Sequence, residues 1–461
     1  MGLGRPVRLL AAALVAMAGV VVASGAHRLD EPPGWLVYGN DAQRSGVSAD
    51  TAPARILRPL WTRRLGGQIT AQPLVVRDFP SPGRSTIVVG TSRGTVYALD
   101  DRGRALWHVR YGRARSTCLQ LAGYGITGTP AIDPETSTLY VADSFGRLHA
   151  LDLRTGRERA GWPVVLFRNV KRELVWGALA LVGGAVYVPT GALCDRPMEG
   201  KVLRVDPAGA VTATWIAVPM RLGGGGGIWG WGGIAYSASR DSLLVATGNA
   251  FRGGSNVGRR FSEAAGYGEQ LVELDRELRV RSASHPKDIK APRDLDFSGS
   301  PLVVSRPGCG ELFLAGNKNN VVYAWRADAV SAGPTWSLRL PAASSQPFLG
   351  QLAFVPGSVS VVAVSHSRLT RVDIGSTCRP RVVWSRPIGH VLLNGSPTIA
   401  GGLVFFSSST GKPMLQAVDL ASGRVRLRAP LEHVSFVAPT IISGRAYVVT
   451  MRGELKAFAL R

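Results

Sequence analysis

Eight copies of one short motif, a chain rich in Gly and Pro, and a C-terminus that stops one strand early together predict an all-β fold. The architecture they predict is an eight-bladed β-propeller of four-stranded antiparallel blades, with the last blade closed by an N-terminal strand. The motif is an apolar run that usually ends in Asp. It reads Tyr97-Ala-Leu-Asp100, His149-Ala-Leu-Asp152, Leu203-Arg-Val-Asp206, Val272-Glu-Leu-Asp275, Tyr323-Ala-Trp-Arg326, Thr370-Arg-Val-Asp373, Gln416-Ala-Val-Asp419 and Lys456-Ala-Phe-Ala459. The copies lie roughly 40 to 70 residues apart, which is the length of one four-stranded blade. The 56 Gly and 29 Pro are spread over all 461 residues, as many short strands and turns require.

The elements follow in chain order. Arg5 and Arg8 precede an apolar run from Leu9 to Ala23, and Ser24-Gly25-Ala26 then offers small residues for cleavage. Residues 1–26 therefore read as a signal peptide cut near Ala26, or as an uncleaved membrane anchor, since a span needs about 18 apolar residues. No Cys follows the run, so a lipid anchor is not expected. Either reading places the mature chain outside the cytoplasm, with membrane contact only through an uncleaved N-terminus. Residues 27–55 read as an extended segment and 56–461 as the propeller.

Each blade reads as strands A to D. Strand A follows a small-residue–Pro or Gln–Pro start, as at Gln72-Pro73, Thr129-Pro130, Ser300-Pro301, Ser396-Pro397 and Ala438-Pro439. Strand C carries the repeated motif. Asp100, Asp152 and Asp206 begin C–D turns, where an Asp side chain can bind nearby backbone N–H groups. Trp107, Trp162, Trp215 and Trp384 fall in or near strand D and are expected to pack between blades. The eighth copy runs out at Arg461 after strand C, which would leave an open edge. Ile56-Leu-Arg-Pro-Leu-Trp61 is a D strand without a blade of its own, and it is expected to fill that edge.

The net charge is +23, but only seven of the 54 basic residues are Lys, and no basic run exceeds two residues. A nucleic-acid binder would concentrate such charge beside aromatics, so nucleic acid is not expected as a partner. The four Cys of an exported chain suggest two disulfides. In a propeller, B–C loops and D–A links open on one face, A–B and C–D turns on the other. That places Cys118 with Cys194, and Cys309 with Cys378. There is no Cys-x-x-Cys-His, so no c-type haem is carried on this chain. The seven His show no metal-ligand spacing and are expected in surface or turn positions. Gly223–Gly227 lacks the Lys-Ser/Thr of a phosphate loop and reads as a flexible loop leading to Trp231.

The repeats resemble the quinoprotein alcohol dehydrogenase-like family, eight-bladed propellers whose dehydrogenases use pyrroloquinoline quinone (PQQ). The likeness spans essentially the whole mature chain, from Trp35-Leu-Val-Tyr-Gly39-Asn-Asp41 to Ala400-Gly-Gly-Leu-Val-Phe-Phe406. Trp231-Gly-Gly-Ile-Ala-Tyr236 and Ala246-Thr-Gly-Asn249 resemble the segment where a Trp underlies the quinone and an Asn binds calcium. Asp294-Leu-Asp296-Phe-Ser-Gly299 resembles the segment of the catalytic base, which falls on Asp296. Asn317-Lys318-Asn319 resembles the segment whose cation contacts the quinone oxygens. Asp195 falls near the family's calcium-binding Glu. The resemblance thus implies Trp231 and Lys318 on PQQ, with Asp195, Asn249 and Asp296 on calcium. The blade topology independently turns all five toward one mouth of the channel, and their oxygens are the hard donors calcium takes.

Several positions depart from the family pattern. Cys118 stands alone where the dehydrogenases have adjacent cysteines. Gly123-Tyr124-Gly125 stands where a carboxylate-binding Arg is expected. Thr70 replaces an acidic residue and Leu393 an aromatic, and blade 6 offers no matching Asn. Two functions from different classes follow. One is a dehydrogenase that oxidises an alcohol or sugar with PQQ and calcium and passes electrons to a separate acceptor. The other is a non-catalytic propeller that binds a protein or an envelope polymer.

Overall fold

The computed structural model describes residues 1–2, 33–51, 54–115, 123–191, 198–251, 266–289, 294–341, 350–365, 367–388, 396–408 and 412–460. Pro32–Arg461 is one compact unit. The other unit, Met1–Glu31, lies outside the described residues apart from its first two. Among the described residues no helix is long and apolar enough to cross a membrane.

Eight antiparallel sheets succeed one another along the chain. Blade 1 is Leu74–Arg77, Ser85–Gly90, Thr95–Asp100 and Ala105–Arg110. Blade 4 is Ala235–Ser237, Ser242–Ala246, Leu271–Leu274 and Val280–Ser284. Blade 5 is Leu302–Arg306, Gly310–Gly316, Val321–Arg326 and Trp336–Arg339. The last blade takes Thr440–Ile442, Arg445–Val449 and Glu454–Leu460 from the C-terminus and Leu57–Arg64 from the N-terminus. In that pairing Leu57 faces Leu460 and Arg64 faces Glu454. The first strand of the propeller thereby satisfies the open edge left by the last, and the eight-bladed ring is closed as the sequence predicts.

Buried apolar clusters fill the spaces between neighbouring blades. Tyr187, Leu243 and Val272 belong to the cluster joining blades 3 and 4, and Phe297, Phe313 and Trp325 to the one joining blades 4 and 5. A recurring lock explains the Trp and Gly of the repeat. Trp107 Nε1 donates to the Leu153 carbonyl (2.9 Å) of the next blade, and Trp384 Nε1 does the same to Leu420 (2.9 Å). Each indole lies on the glycine of that C–D turn. A Cβ on Gly156 or Gly423 would stand 2.6 or 2.7 Å from the ring, and both have positive φ. Trp61 closes the ring in the same way, donating to Asp101 O (3.0 Å) across the junction of blades 8 and 1. The turn aspartates behave as expected: Asp100 Oδ1 accepts from the Arg102 and Arg104 amides.

Residues 34–50 run along the inner strands. Gly34–Trp35 pairs with strand A of blade 1. The carbonyls of Leu36, Ala42, Gln43, Ser45 and Gly46 then accept from Ile132, Tyr236, Val303, Phe354 and Ile399, the inner strands of blades 2, 4, 5, 6 and 7. Asp50 accepts from the Ser443 and Gly444 amides of blade 8. Arg44 is fully buried, and its guanidinium donates to the carbonyls of Tyr38, Leu179 and Ile234. One strand-like segment therefore ties the blades together from inside, at the level of the A strands.

Cys309 and Cys378 form the expected disulfide, with Cα atoms 5.4 Å apart, linking turns of blades 5 and 6. Cys118 and Cys194 lie outside the described residues, as does Leu393. One expectation changes. His149 is not a surface residue: it is 3% exposed, sits between Glu158 Oε2 (2.7 Å) and Asp143 Oδ2 (3.3 Å), and stacks on Tyr111 at 3.8 Å. The motif position points its ring inward, and the two carboxylates compensate its burial.

Candidate functional site

Three of the five residues singled out by sequence come together where blades 4 and 5 meet. Asn249 follows strand B of blade 4. Asp296 lies on the link into blade 5, and Lys318 follows strand B of that blade. The link is held in place by backbone: Lys318 N–H donates to Asp296 O (3.0 Å), and Asn317 Nδ2 donates to Leu295 O (2.6 Å). Asp296 is thus fixed before its side chain makes any contact.

Its carboxylate then bridges two blades. Oδ1 accepts from the Asn249 amide (2.5 Å), and Oδ2 accepts from Lys318 Nζ (2.6 Å). Lys318 Nζ also donates to Asp294 Oδ1 (2.8 Å), which accepts in turn from Asn249 Nδ2 (3.0 Å). The ammonium stands 4.7 Å from the Trp229 ring centroid, a cation–π contact. Gly248 makes this approach possible. A Cβ there would lie 2.7 Å from Asp296 Oδ1 and 3.1 Å from Trp229 Nε1.

The electrostatics follow from the contacts. Burial pulls the Lys318 ammonium down, but the charges of Asp296 and Asp294 outweigh it and hold the pKa well above the usual lysine range. Burial pushes the Asp294 carboxyl up. The Lys318 charge, with hydrogen bonds from Lys318 and Asn249, overrides that and brings it down to about 2. Asn249 is 3% exposed, and among the described residues no donor reaches its Oδ1. An amide oxygen beside carboxylates is the kind of hard donor that calcium takes. Among the described residues no group of three or more His, Cys, Asp or Glu is placed to hold a metal. A cation here would therefore rest on Asn249, on Asp296 or Asp294, and on donors from outside that set.

Trp231 is buried, 4% exposed. Its ring lies 5.1 Å from Trp176 and 6.1 Å from Phe436, tilted to both. Its Nε1 has no partner among the described residues. Asp195 lies outside the described residues. The glycine run leading to Trp231 is not the loose loop expected from composition. Gly226 N–H donates to Asn249 O (2.8 Å), Gly225 bridges to Glu199 and Ala250, and Gly226 O would be 1.9 Å from a Cβ on Gly200. These glycines let blades 3 and 4 approach at the backbone, which composition alone does not distinguish from flexibility. Sequence reading missed Asp294 and Trp229. The Asp-x-Asp spacing and the Trp-Gly-Trp spacing were the available signals. In an irregular link, alternate residues can share a face, and here they do.

Thr70 is turned away from any ligand role, its hydroxyl donating to the Thr127 carbonyl (3.2 Å) of the next blade. Tyr124, in the segment where a carboxylate-binding Arg was expected, is buried.

A family model described as outer membrane protein assembly factor BamB, built on PQQ-type repeats, matches residues 58–247. No curated protein sequence matches the chain. Among solved structures, quinohemoprotein alcohol dehydrogenase from Comamonas testosteroni is similar at a TM-score of 0.70 and 19% identity, over 93% of this chain and 81% of that one. A europium-containing methanol dehydrogenase gives 0.70 and 15%, over 94% and 99%. BamB from Moraxella catarrhalis gives 0.61 and 15%, over 88% and 100%. At these identities the structures share the fold. The chain is an eight-bladed β-propeller, and its residues 58–247 match the model of a PQQ-type repeat family.

Proposed function

We propose that the chain is an exported quinoprotein-type dehydrogenase that oxidises an alcohol or a sugar with PQQ and calcium and passes electrons to a separate acceptor. The observation that supports this most is the orphaned Asn249 Oδ1 held against the Asp294–Lys318–Asp296 cluster. Asn249 and Asp296 would be the calcium donors from the described residues, and Asp195 is a further candidate on the resemblance alone. Lys318 and Trp231 would contact the quinone. When bound, calcium supplies a Lewis acid and PQQ a two-electron acceptor.

The chain's own residues do the rest. Asp296 accepts the proton of the substrate hydroxyl, as a carboxylate within reach of a bound alcohol can. Lys318 Nζ occupies Oδ2 at 2.6 Å, so the ammonium must lean away before that oxygen can take a proton. Asp294 Oδ1, 2.8 Å from the same ammonium, holds Lys318 when it does. Trp231, wedged between Trp176 and Phe436, supplies a ring that cannot swing aside. Loading the purified chain with PQQ and calcium and adding an artificial electron acceptor should give alcohol- or sugar-dependent reduction. Asp296→Asn should abolish it while the protein stays folded. A loaded, folded protein that reduces nothing across an alcohol and sugar panel would overturn the reading.

The second reading is a scaffold that binds a protein or an envelope polymer. It is favoured by Thr70, committed to the next blade, and by a buried Tyr124 in place of the clamping Arg. The match of residues 58–247 to the BamB family model points the same way.

A further inference from the structure

A groove of about 950 Å³ runs along the outer rim between blades 6 and 7, away from the channel. Its walls are strand D of blade 6, Pro380–Pro387, and strands C and D of blade 7, Met414–Asp419 and Val425–Pro430. Four cations line it, Arg386, Lys412, Arg424 and Arg428, and among the described residues no acid does. All four side chains are exposed. None of them makes an ion pair among the described residues, and Arg386 donates only to the Ser422 carbonyl, at 3.4 Å. The nearby acids are already engaged: Asp419 pairs with Arg426 (3.3 Å) and Asp373 with Arg371 (2.8 Å). Four like charges around one concavity repel each other and are complementary to an anion.

The spacing of the cations says what kind of anion. Arg428 stands opposite Gln416 and Val425 opposite Val418 in the ladder. Lys412 lies six residues before Val418, roughly 20 Å along an extended chain. The cations are therefore strung along the groove and do not converge on one point, so a single phosphate would meet only some of them. Between them lies an apolar strip, with Val425 45% exposed and Met414 half-buried. The one aromatic ring in the lining, Phe406, is 1% exposed, so bases have nothing to stack on. We propose that this groove docks an extended acidic peptide segment of a partner protein, its carboxylates on the four cations and its apolar side chains on Met414 and Val425.

Fluorescence anisotropy with a labelled octapeptide of alternating Glu and Leu tests this. Binding should weaken about tenfold or more in Arg386→Ala/Arg424→Ala/Arg428→Ala, and fall as salt rises. Arg426→Ala, on the same strand but paired with Asp419, should change binding less than about twofold. A Glu/Ser octapeptide and inorganic polyphosphate should bind more weakly than the Glu/Leu peptide. If the triple variant melts early, Arg424→Ala alone should still weaken binding about threefold. Equal losses in Arg426→Ala would mean a diffuse field and would overturn the proposal. Polyphosphate or Glu/Ser binding as tight as Glu/Leu would remove the apolar strip and the peptide with it. No binding at about 100 μM peptide would overturn it outright.

Discussion

Lys318 Nζ lies 2.6 Å from Asp296 Oδ2, with Asp296 3% exposed and contributed by the link into blade 5, whose strand B precedes Lys318. The same ammonium also serves Asp294, at 2.8 Å. Removing the lysine leaves two carboxylates and an orphaned amide oxygen facing each other.

Lys318→Met should therefore lower stability by about 3 kcal/mol, the usual scale for stripping a partner from a buried charge. Half of Asp294 is solvated, which keeps the loss at the lower end of that range. Added calcium should raise the melting temperature of this variant more than that of the unaltered protein, because it replaces the lost positive charge. Thermal melts with and without calcium check this. Equal shifts in the two proteins would deny the cluster a cation-binding role.

Gly248→Ala puts a methyl group 2.7 Å from Asp296 Oδ1 and 3.1 Å from Gly227 O. The carboxylate must withdraw, and its bond from the Asn249 amide goes with it. The expected cost is about 1–3 kcal/mol in a denaturant titration. A variant as stable as the parent would mean that Asp296 has another resting position.

Arg44→Met keeps the length of the buried side chain but removes its donors. The carbonyls of Tyr38, Leu179 and Ile234 then lose their partner inside the ring. Urea unfolding should show a loss of about 3–5 kcal/mol without a second transition, because one segment ties several blades. Arg44→Lys should recover only part, since one ammonium cannot reproduce the guanidinium fork. A loss under about 1 kcal/mol would show that blades 3 and 4 close without it.

His149 should make stability depend on pH. Burial pushes its imidazolium down, yet the hydrogen bonds it donates to Asp143 and Glu158, with their charges, win, and its pKa is raised. A raised histidine stabilises the fold fully below the unfolded value of about 6.5 and loses that contribution as pH rises through the folded value. The stability gap between the parent and His149→Gln should thus be widest in mild acid and shrink toward pH 9. A gap that widens with pH would reverse the sign.

The ring was legible because each blade repeats its own signals. The apolar motif at Tyr97–Asp100, the turn aspartate and the D-strand Trp state the same architecture several times over, and Leu57–Arg64 answers the missing last strand. Of the candidate site, the meeting of Asn249, Asp296 and Lys318 was legible because each falls in a segment that resembles the family's. Asp294 and Trp229 escaped because they sit in irregular links, where no period says which side chains meet. The glycine run at 223–227 was misjudged for a related reason: close packing of backbones and freedom to move need the same residue. His149 was missed because the carboxylates that compensate it, Asp143 and Glu158, come from a loop and a turn on either side of its strand.

Calorimetric titration of the purified chain with PQQ, with and without calcium, tests the central claim most directly. The account predicts calcium-dependent binding with a Kd below about 100 μM, lost in both Asp296→Ala and Asn249→Ala. No heat with the folded protein, or binding indifferent to calcium and to both substitutions, would contradict it.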